Sequence, residues 1–469
     1  MIQPASLSNS RVRRTQSLLG SRAVACAAAS ACFLAYSLES RAQISTAPVP
    51  AAPVPVHELV VQTVSPLAFS NIFQVRQIAG GAVLVNDALR RQLTLLDGSL
   101  KLSRVVLDSI TSAAGEGYGT VATPLIAYRG DSSLMVDRES RALLLIDPNG
   151  KVVRTLSSPT TPKDFANLYS STSVADPAGN LLLRAELPTV TKRIGVATAS
   201  SITEETRQPD STFILRVNFS TGNIDTVARI KQTVGMHLVN THDPNVRSPL
   251  GKFKVNPIET LDDWTMLADG TVAVVRGADY HVDFIALNGA HTSSAKLPFD
   301  WKEISDTDKQ RIIDSTKMAV DAAGDKARPN GAMAELDARR EALIGHAMRL
   351  PGSPPIPARV IPTLPGQVLP KFEYEFVPLD EMPSYYPPLR IGFTKGDADG
   401  NLWILPSTSA QSKAGELVYD VVNNKGVLYE RVRMPLGRLI AGFGVGGVVY
   451  LRSVDANGTW HLERGRVVP

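Results

Sequence analysis

Two stretches of the sequence, about 50 residues apart, repeat one order of strand and turn residues. Residues 82–87 (AVLVND) lead into 92–98 (QLTLLDG), and residues 134–137 (LMVD) lead into 142–150 (ALLLIDPNG). In both, an apolar strand, a polar turn, a second apolar strand and an Asp/Gly turn precede an outer strand. Units of about 40–50 residues with four short strands each are typical of the blades of a β-propeller.

Four later stretches follow the same order with longer insertions. They are residues 176–184 with 213–218, 264–276 with 282–289, 399–404 with 417–423, and 439–452 with 459–463. Residues 57–61 would supply the missing strand of the last unit and close the ring. The sequence therefore predicts an all-β fold, a six-bladed β-propeller over residues 57–469, with two separate all-β domains as the alternative.

One insertion has helical composition. Ser305 followed by Asp308 is typical of a capping box, and residues 310–320 and 333–348 suit two helices joined by a turn at 321–331. We expect this two-helix insertion, residues 301–349, between the fourth and fifth blades. The proline-rich residues 350–370 should return along the surface as an irregular strap.

The N-terminal 42 residues have the composition of an export signal. A basic start, with Arg11 and Arg22 at its ends, precedes the apolar residues 23–36, and Ser40-Arg41-Ala42 offers small residues for cleavage after Ala42. The twin-arginine route and a lipoprotein anchor at Cys26 or Cys32 are the alternatives. Residues 43–56 (QISTAPVPAAPVPV) then form a Pro/Ala-rich linker. We expect a periplasmic or secreted protein.

Charge and cysteine content exclude several function classes for the mature chain. Residues 1–42 hold both cysteines, and they hold five arginines and one glutamate of the 49 basic and 45 acidic residues. The mature chain is therefore neutral and free of cysteine, which excludes disulfides and thiolate sites. A neutral chain has no electrostatic footprint for nucleic acid, and no other apolar stretch is long enough to cross a membrane.

Several fragments together resemble a known group of proteins. They are residues 264–276 (WTMLADGTVAVVR), 279–283 (DYHVD), 385–389 (YYPPL) and 400–403 (GNLW). The chain resembles the uncharacterised exported six-bladed propellers of bacteria, akin to NHL-type and TolB-like propellers. This resemblance implies a fold and an exported location, and it implies no activity.

The candidate binding residues lie where the fourth and fifth predicted blades begin or turn, near the mouth of the axial channel. Each has a structural alternative: strand-end capping for the acids, a tight turn for residues 279–281, and aromatic packing for the tyrosines. The candidates are Asp262, Asp263, Trp264, Arg276, Asp279, Tyr280, His281, Tyr385 and Tyr386.

Two further motifs raise the question of a metal ion. Asp397, Asp399 and Asn401 have the alternate oxygen ligands of a calcium loop, but the bidentate acid that should follow is missing from residues 403–411. A hairpin turn is therefore the favoured interpretation, and calcium is the one candidate ion. His237, His242 and Asp243 match no ligand spacing, so an exposed loop is favoured there.

Two functions from different classes fit these features. The favoured one is a monomeric, non-catalytic binding scaffold for a protein, a glycan or a small ligand, with no cofactor. The alternative is a propeller enzyme, a lactonase-like hydrolase or a lyase, that uses a cation and acids at the axial channel. The fold itself argues for neither function.

Overall fold

The computed structural model describes residues 53–109, 117–119, 123–137, 142–157, 173–185, 190–193, 202–207, 210–218, 221–231, 236–242, 250–331, 334–335, 338–339, 342–343, 373–390, 392–407 and 416–468. All of them belong to one compact unit, Pro53–Pro469. They are mostly β-strand, arranged as several small sheets in the manner of a propeller, with one long helix. None of the helices in this described part is both long and apolar enough to cross a membrane.

The first two sheets repeat one antiparallel pattern after the opening strand, β1 (Val56–Phe69). The first sheet is β2 (Ile72–Gln77), β3 (Val83–Asp87), β4 (Gln92–Leu96) and β5 (Leu102–Asp108). The second sheet is β6 (Leu125–Ala127), β7 (Ser133–Asp137), β8 (Ala142–Ile146) and β9 (Val152–Ser157). In both, strands neighbour one another in chain order, as hairpin-connected strands do.

The third sheet has a longer connection between its second and third strands, while the fourth has short connections like the first two. The chain continues through β10 (Val174–Ala175), β11 (Leu181–Arg184), β12 (Val190–Arg193), β13 (Ile202–Arg207), β14 (Ser211–Val217), β15 (Ile224–Lys231), β16 (Met236–His242) and β17 (Leu250–Val255). Of these, β10, β11, β14 and β15 pair as the third sheet. The fourth sheet is β18 (Asp263–Met266), β19 (Val272–Arg276), β20 (His281–Ile285) and β21 (His291–Ser293).

The remaining elements are helix α1 (Asp306–Ala327), β22 (Glu373–Phe376) and one curled sheet of eight strands. This sheet contains β23 (Thr394–Gly396), β24 (Leu402–Ile404), β25 (Val418–Val422), β26 (Leu428–Arg433), β27 (Arg438–Gly444), β28 (Val448–Val454) and β29 (Trp460–Val468). It consists of two four-strand runs, β23 to β26 and β27–β28–β29–β1, joined by a short parallel pairing of β1 with β26.

The N-terminal strand completes the sheet formed by the end of the chain. Residues 58–61 of β1 pair antiparallel with residues 465–468 of β29, as the repeat predicts for residues 57–61. The strand begins at Val56, so the last residue assigned to the linker is already part of the sheet. The signal peptide, linker residues 43–52 and strap residues 350–370 lie outside the described residues.

The first strands of neighbouring sheets lie close together. A Cβ atom at Gly442 of β27 would overlap the carbonyl oxygen of Val75 in β2, and one at Gly396 of β23 would overlap that of Met266 in β18. The Gly396 amide also donates to Thr265 Oγ1 at 3.1 Å. Because only glycine allows backbones to approach this closely, these positions fix how the sheets meet near the centre.

The insertions between strands build a sheet that the sequence did not predict. Strands β12, β13, β16, β17 and β22 pair as a five-stranded insert sheet. His237 and His242 therefore lie in β16, so the interpretation of that segment as a loop was wrong. The pairings of β13 with β16 and of β17 with β22 join strands that other elements separate in the chain, so no local pattern predicts them.

Helix α1 begins as predicted and ends later. The Ser305 hydroxyl accepts from the Asp308 amide and the Asp308 carboxylate accepts from the Ser305 amide, which confirms the capping box. The helix continues to Ala327, so the predicted turn at 321–331 was wrong for its first seven residues. Val320 packs with Val255 of β17 and Leu343, and this contact outweighs the weak helix propensity of Gly324. The second helix stays a prediction, since only residues 334–335, 338–339 and 342–343 are described, all helical.

Candidate functional site

Asp262 lies just ahead of β18, and every oxygen of its carboxylate has a partner. Oδ2 accepts from the Lys231 amide at 2.9 Å and from Arg276 Nη1 at 2.8 Å, and Oδ1 accepts from the Gly277 amide at 3.1 Å. Arg276 Nη1 also donates to the Arg229 carbonyl at 2.9 Å. Since Lys231 and Arg229 belong to β15, these bonds join the third sheet to the fourth.

Arg276 extends this arrangement along the fourth sheet. Its Nε donates to Asp283 Oδ2 at 2.7 Å, and Asp283 Oδ1 accepts from the Ser293 hydroxyl at 2.6 Å and lies 3.3 Å from His281 Nε2. His281 Nδ1 in turn lies 2.6 Å from Asp279 Oδ1. We call Asp262, Arg276, Asp279, His281 and Asp283 the Arg276 network. It is a series of ion pairs from Asp262 to Asp279, and its central members Arg276, His281 and Asp283 lie on the paired strands β19 and β20.

Two acids of this network, Asp279 and Asp283, are held in their ionised form. Partial burial alone would raise the pKa of Asp283, but Ser293 and Arg276 outweigh burial, so the pKa lies below its ordinary value. Asp279 behaves alike, since His281 and Lys296 together outweigh desolvation and lower its pKa. Paired, ionised carboxylates of this kind stabilise the sheet and have little remaining capacity to bind a ligand.

Trp264 and Tyr280 are buried in the core. Trp264 is 1% exposed and packs with Leu182 and Val274 between the third and fourth sheets. The Tyr280 hydroxyl donates to Asp420 Oδ2 at 2.8 Å, while Arg431 Nε donates to Asp420 Oδ1 at 2.7 Å. Burial raises the pKa of Tyr280 well above its ordinary value, and the neighbouring Asp420 charge acts in the same direction. Both aromatic side chains therefore pack sheets together.

Asp263, the first residue of β18, differs from its neighbour Asp262. Its side chain is 1% exposed and points toward β23, where Oδ2 accepts from the Thr394 amide at 2.9 Å. Its other oxygen, Oδ1, is buried and has no hydrogen-bond partner within the described part of the chain. Burial raises the pKa of Asp263 to about 6, against the opposing effects of Thr394, Trp264 and Lys395.

Two basic side chains interact electrostatically with this carboxylate. Burial, together with the charge of Arg452, lowers the pKa of Lys395 to about 8, although Asp263 opposes both effects. Burial also lowers the pKa of Arg184, again against the attraction of Asp263. Lys395 and Arg184 both keep partial exposure to solvent. We call Asp263, Thr394, Lys395 and Arg184 the Asp263 cluster, in which Lys395 and Arg184 each interact electrostatically with one acid.

Tyr385 and Tyr386 lie on opposite sides of one short segment. Tyr385 is 48% exposed, and its ring meets the half-exposed Trp301 edge to face, with ring centroids 6.4 Å apart. Tyr386 is partly buried and lines a small cavity together with Arg390 and Ser407. Tyr386 therefore packs against apolar side chains, while Tyr385 forms part of an exposed aromatic pair; packing under the proline-rich strap stays a prediction, since residues 350–370 lie outside the described part.

The candidate calcium loop is a hairpin turn in the structure. Asp397 Oδ1 accepts from the amides of Asp399 and Asn401, and Oδ2 accepts from the side chains of Asn401 and Trp403, all within 3.0 Å. Asp399 accepts from the amides of Gly446 and Gly447 in the next hairpin. Across the described residues, no group of three or more His, Cys, Asp or Glu side chains could hold a metal ion.

Comparisons with known proteins found no matching family model and no matching curated sequence. Among solved structures, a member of the DUF4221 family from Bacteroides vulgatus has a TM-score of 0.40 at 8% identity, covering 88% of this chain and 98% of that one. The virginiamycin B lyase of Staphylococcus aureus has a TM-score of 0.35 at 9% identity, covering 88% and 100%. A gluconolactonase from Xanthomonas campestris has a TM-score of 0.31 at 9% identity, covering 89% and 99%. Likenesses this distant establish no shared activity.

Sequence reasoning found Asp263 but missed the basic side chains and Thr394 around it. Arg184 ends the run Leu181-Leu182-Leu183, and Lys395 follows Phe393 and Thr394 at the start of the fifth repeat unit. A charged residue inside or directly after a short apolar strand is rarely buried without a specific role. The sequence therefore indicated that Arg184 and Lys395 could have a specific role. It did not indicate that Asp263 lies near them, because that depends on which sheets become neighbours, and the repeat pattern alone does not predict those contacts.

Proposed function

We propose that this chain is an exported six-bladed β-propeller that binds a small, negatively charged, hydroxyl-bearing ligand at the Asp263 cluster. The observation that carries the proposal is the buried Asp263 Oδ1, which has no partner among the described residues although basic groups lie beside it. A buried acceptor without a partner destabilises the fold by about 1–3 kcal/mol. Such a group is most easily explained by a ligand that supplies the donor.

The six-bladed assignment rests on the strand order. Four separate four-stranded sheets and the two four-strand runs of the curled sheet would make six similar blades. Hydrogen bonds between first strands support a ring, because Gly396 donates to Thr265, Val445 donates to Gln77 and Leu125 donates to Gln74. Export rests on the signal-peptide features of residues 1–42, with cleavage after Ala42.

The charge of the cluster sets the class of ligand. Lys395 and Arg184 lie around a single carboxylate, and Arg452 adds a third positive charge nearby. This field attracts an anion and repels a divalent cation, so it favours an anionic ligand over the calcium ion considered from the sequence. A ligand hydroxyl would donate to Asp263, and a ligand carboxylate or phosphate would face Lys395.

A second candidate function is the hydrolase or lyase considered from the sequence. Asp263, with a pKa of about 6, and Lys395, with a pKa of about 8, lie on either side of neutral pH. At pH 7 the ionised Asp263 carboxylate could remove a proton while the protonated Lys395 ammonium delivers one, which is the pairing that general acid–base catalysis needs. Turnover of hydroxy-acid lactones or unsaturated products from sugar acids would distinguish this function from binding alone.

The test is a thermal-shift series with gluconate, glucose and calcium on the purified protein. A ligand that binds only the folded state raises the melting temperature by mass action. We expect gluconate to raise it, and neither glucose nor calcium to do so. The rise should disappear in Lys395→Met and persist in Lys296→Met, a matched control in the Arg276 network. Equal shifts with gluconate and glucose, or an unchanged shift in Lys395→Met, would refute the proposal.

A further inference from the structure

A small cavity lies where two long connections approach the first strands of the fourth and eight-stranded sheets. Its walls come from the segment before β18, the segment before β23 and Ser407, which follows β24. Five of the eight lining residues are apolar or aromatic, and the polar ones are Glu259, Arg390 and Ser407. The wall residues used below are Ile258, Leu261, Tyr386, Leu389 and Arg390.

Arg390 is the unusual member of this lining. It is only partly exposed, and burial lowers the pKa of its guanidinium, with Tyr386 opposing that effect. Within the described part of the chain its side chain makes no hydrogen bond and no ion pair. The comparably enclosed Arg276, Arg431 and Arg339 differ, since each donates to a carboxylate at 2.9 Å or less.

A guanidinium in such surroundings is a specific anion receptor. Its planar fork matches the two oxygens of a carboxylate, and partial desolvation strengthens the resulting pair of charge-assisted hydrogen bonds. Two of the wall residues, Leu261 and Leu389, are buried aliphatic side chains, and the Tyr386 ring is partly buried. These walls suit the carbon chain of an acid better than the hydrated surface of an inorganic anion.

We propose that this cavity is a carboxylate-binding site in which Arg390 holds the acid group of a short-chain monocarboxylate. The apolar walls contact its carbon chain, and a longer acid would extend through the open side of the cavity. The site uses none of the four residues of the Asp263 cluster. It therefore stands independently of the function proposed above, and its ligand needs no hydroxyl group.

The experiment is calorimetric titration of the purified protein with butyrate, acetate and inorganic phosphate. We expect butyrate to bind more tightly than acetate, since its longer chain contacts the apolar walls, and phosphate to bind least. Arg390→Gln should weaken butyrate binding by about 10- to 100-fold, the factor expected when a pair of charge-assisted bonds is lost. Arg390→Lys keeps the positive charge but loses the planar guanidinium group. Its butyrate affinity should lie between those of the wild type and Arg390→Gln.

Lys296→Met, which lies outside both proposed sites, is the control, and its butyrate affinity should match that of the wild type. Arg390 has no partner among the described residues, so its replacement removes no contact there. The melting temperature of Arg390→Gln should therefore be no lower than that of the wild type, and measuring it checks that the variant is folded. Equal butyrate affinity in Arg390→Gln, loss of affinity in Lys296→Met, or phosphate binding as tight as butyrate binding would each overturn the proposal. Absence of butyrate binding to the wild-type protein would overturn it as well.

Discussion

Asp262 and Asp263 are adjacent in sequence and have opposite surroundings. Successive side chains of a strand point to opposite faces, so Asp262 points to the third sheet and Asp263 to the sheet that follows. Asp262 accepts hydrogen bonds from Lys231, Arg276 and Gly277. Asp263 accepts one from Thr394, and its second oxygen has no partner among the described residues.

The difference shows that the density of acids in a sequence does not locate a binding site. Asp262, Asp279 and His281 are the residues that make the fourth repeat unit look functional, and all three are engaged in the Arg276 network. The Asp263 cluster has fewer acids and incomplete pairing. Incomplete pairing in a buried position, more than the number of charged groups, is what distinguishes a candidate site from a structural ion-pair network.

The largest change in stability that distinguishes the Arg276 network from the Asp263 cluster should come from Arg276→Met. This change leaves Asp262 and Asp283 buried without their cation, and breaking a buried pair in this way destabilises proteins by about 3–5 kcal/mol. The free energy of unfolding in urea should fall by that amount at pH 7. A loss below about 1 kcal/mol would mean that the network is not a structural element.

A smaller effect of opposite sign is expected for Lys395→Met. The folded state holds Lys395 with a pKa of about 8, below the unfolded value, so its charged form destabilises the fold at neutral pH. Removing it should raise the free energy of unfolding by about 1–2 kcal/mol at pH 7, since partial exposure reduces the effect. The gain should shrink as the pH rises above 8, where the folded protein releases this proton.

The matched control for that variant is Lys296→Met. Lys296 is exposed and pairs with Asp279 at 3.4 Å in the Arg276 network. Its loss should change the free energy of unfolding by less than about 0.5 kcal/mol at every pH between 6 and 10. If both lysine variants change stability alike, the Asp263 cluster has no special electrostatic character.

A small effect should also come from His281→Gln. His281 lies between Asp279 and Asp283 and is partly exposed, so the loss at pH 6 should stay below about 1 kcal/mol. The lowered pKa values of both acids mean that their stabilisation is present above about pH 4 and is lost as the pH falls below it. Urea unfolding at pH 6 and pH 3 should show a smaller acid-induced loss in the variant than in the wild type.

The repeat predicts the small sheets well because its signals are local. In the turn that begins at Asp147, Oδ1 accepts from the amides of Asn149 and Lys151, and Gly150 has a φ of 73°. An Asp followed by Gly is therefore sufficient to place this hairpin from the sequence. The pairing of β1 with the last strand could also be predicted from the sequence, because the last repeat unit lacks one strand.

The insert sheet and the Asp263 cluster could not be predicted in the same way. The β17–β22 pairing joins Phe253 to Tyr374, residues far apart in the chain, and no local pattern encodes such a contact. Likewise, Asp263 meets Lys395 only because β18 and β23 become neighbours across the long segment between them. The sequence gives the strand position of each residue, while the site depends on which strands assemble side by side.

The most direct test compares Asp262→Asn with Asp263→Asn by urea unfolding at pH 4 and pH 8. The pKa of Asp263 is raised to about 6 in the folded state, so its ionisation destabilises the fold as the pH rises from about 4 through 6. Asp263→Asn should therefore increase the free energy of unfolding at pH 8, by on the order of 2–3 kcal/mol, with no gain at pH 4. Asp262→Asn should decrease it at pH 8, since Arg276 loses a charged partner. A loss of stability at pH 8 in both variants would contradict the account, because it would make Asp263 a structural residue like its neighbour.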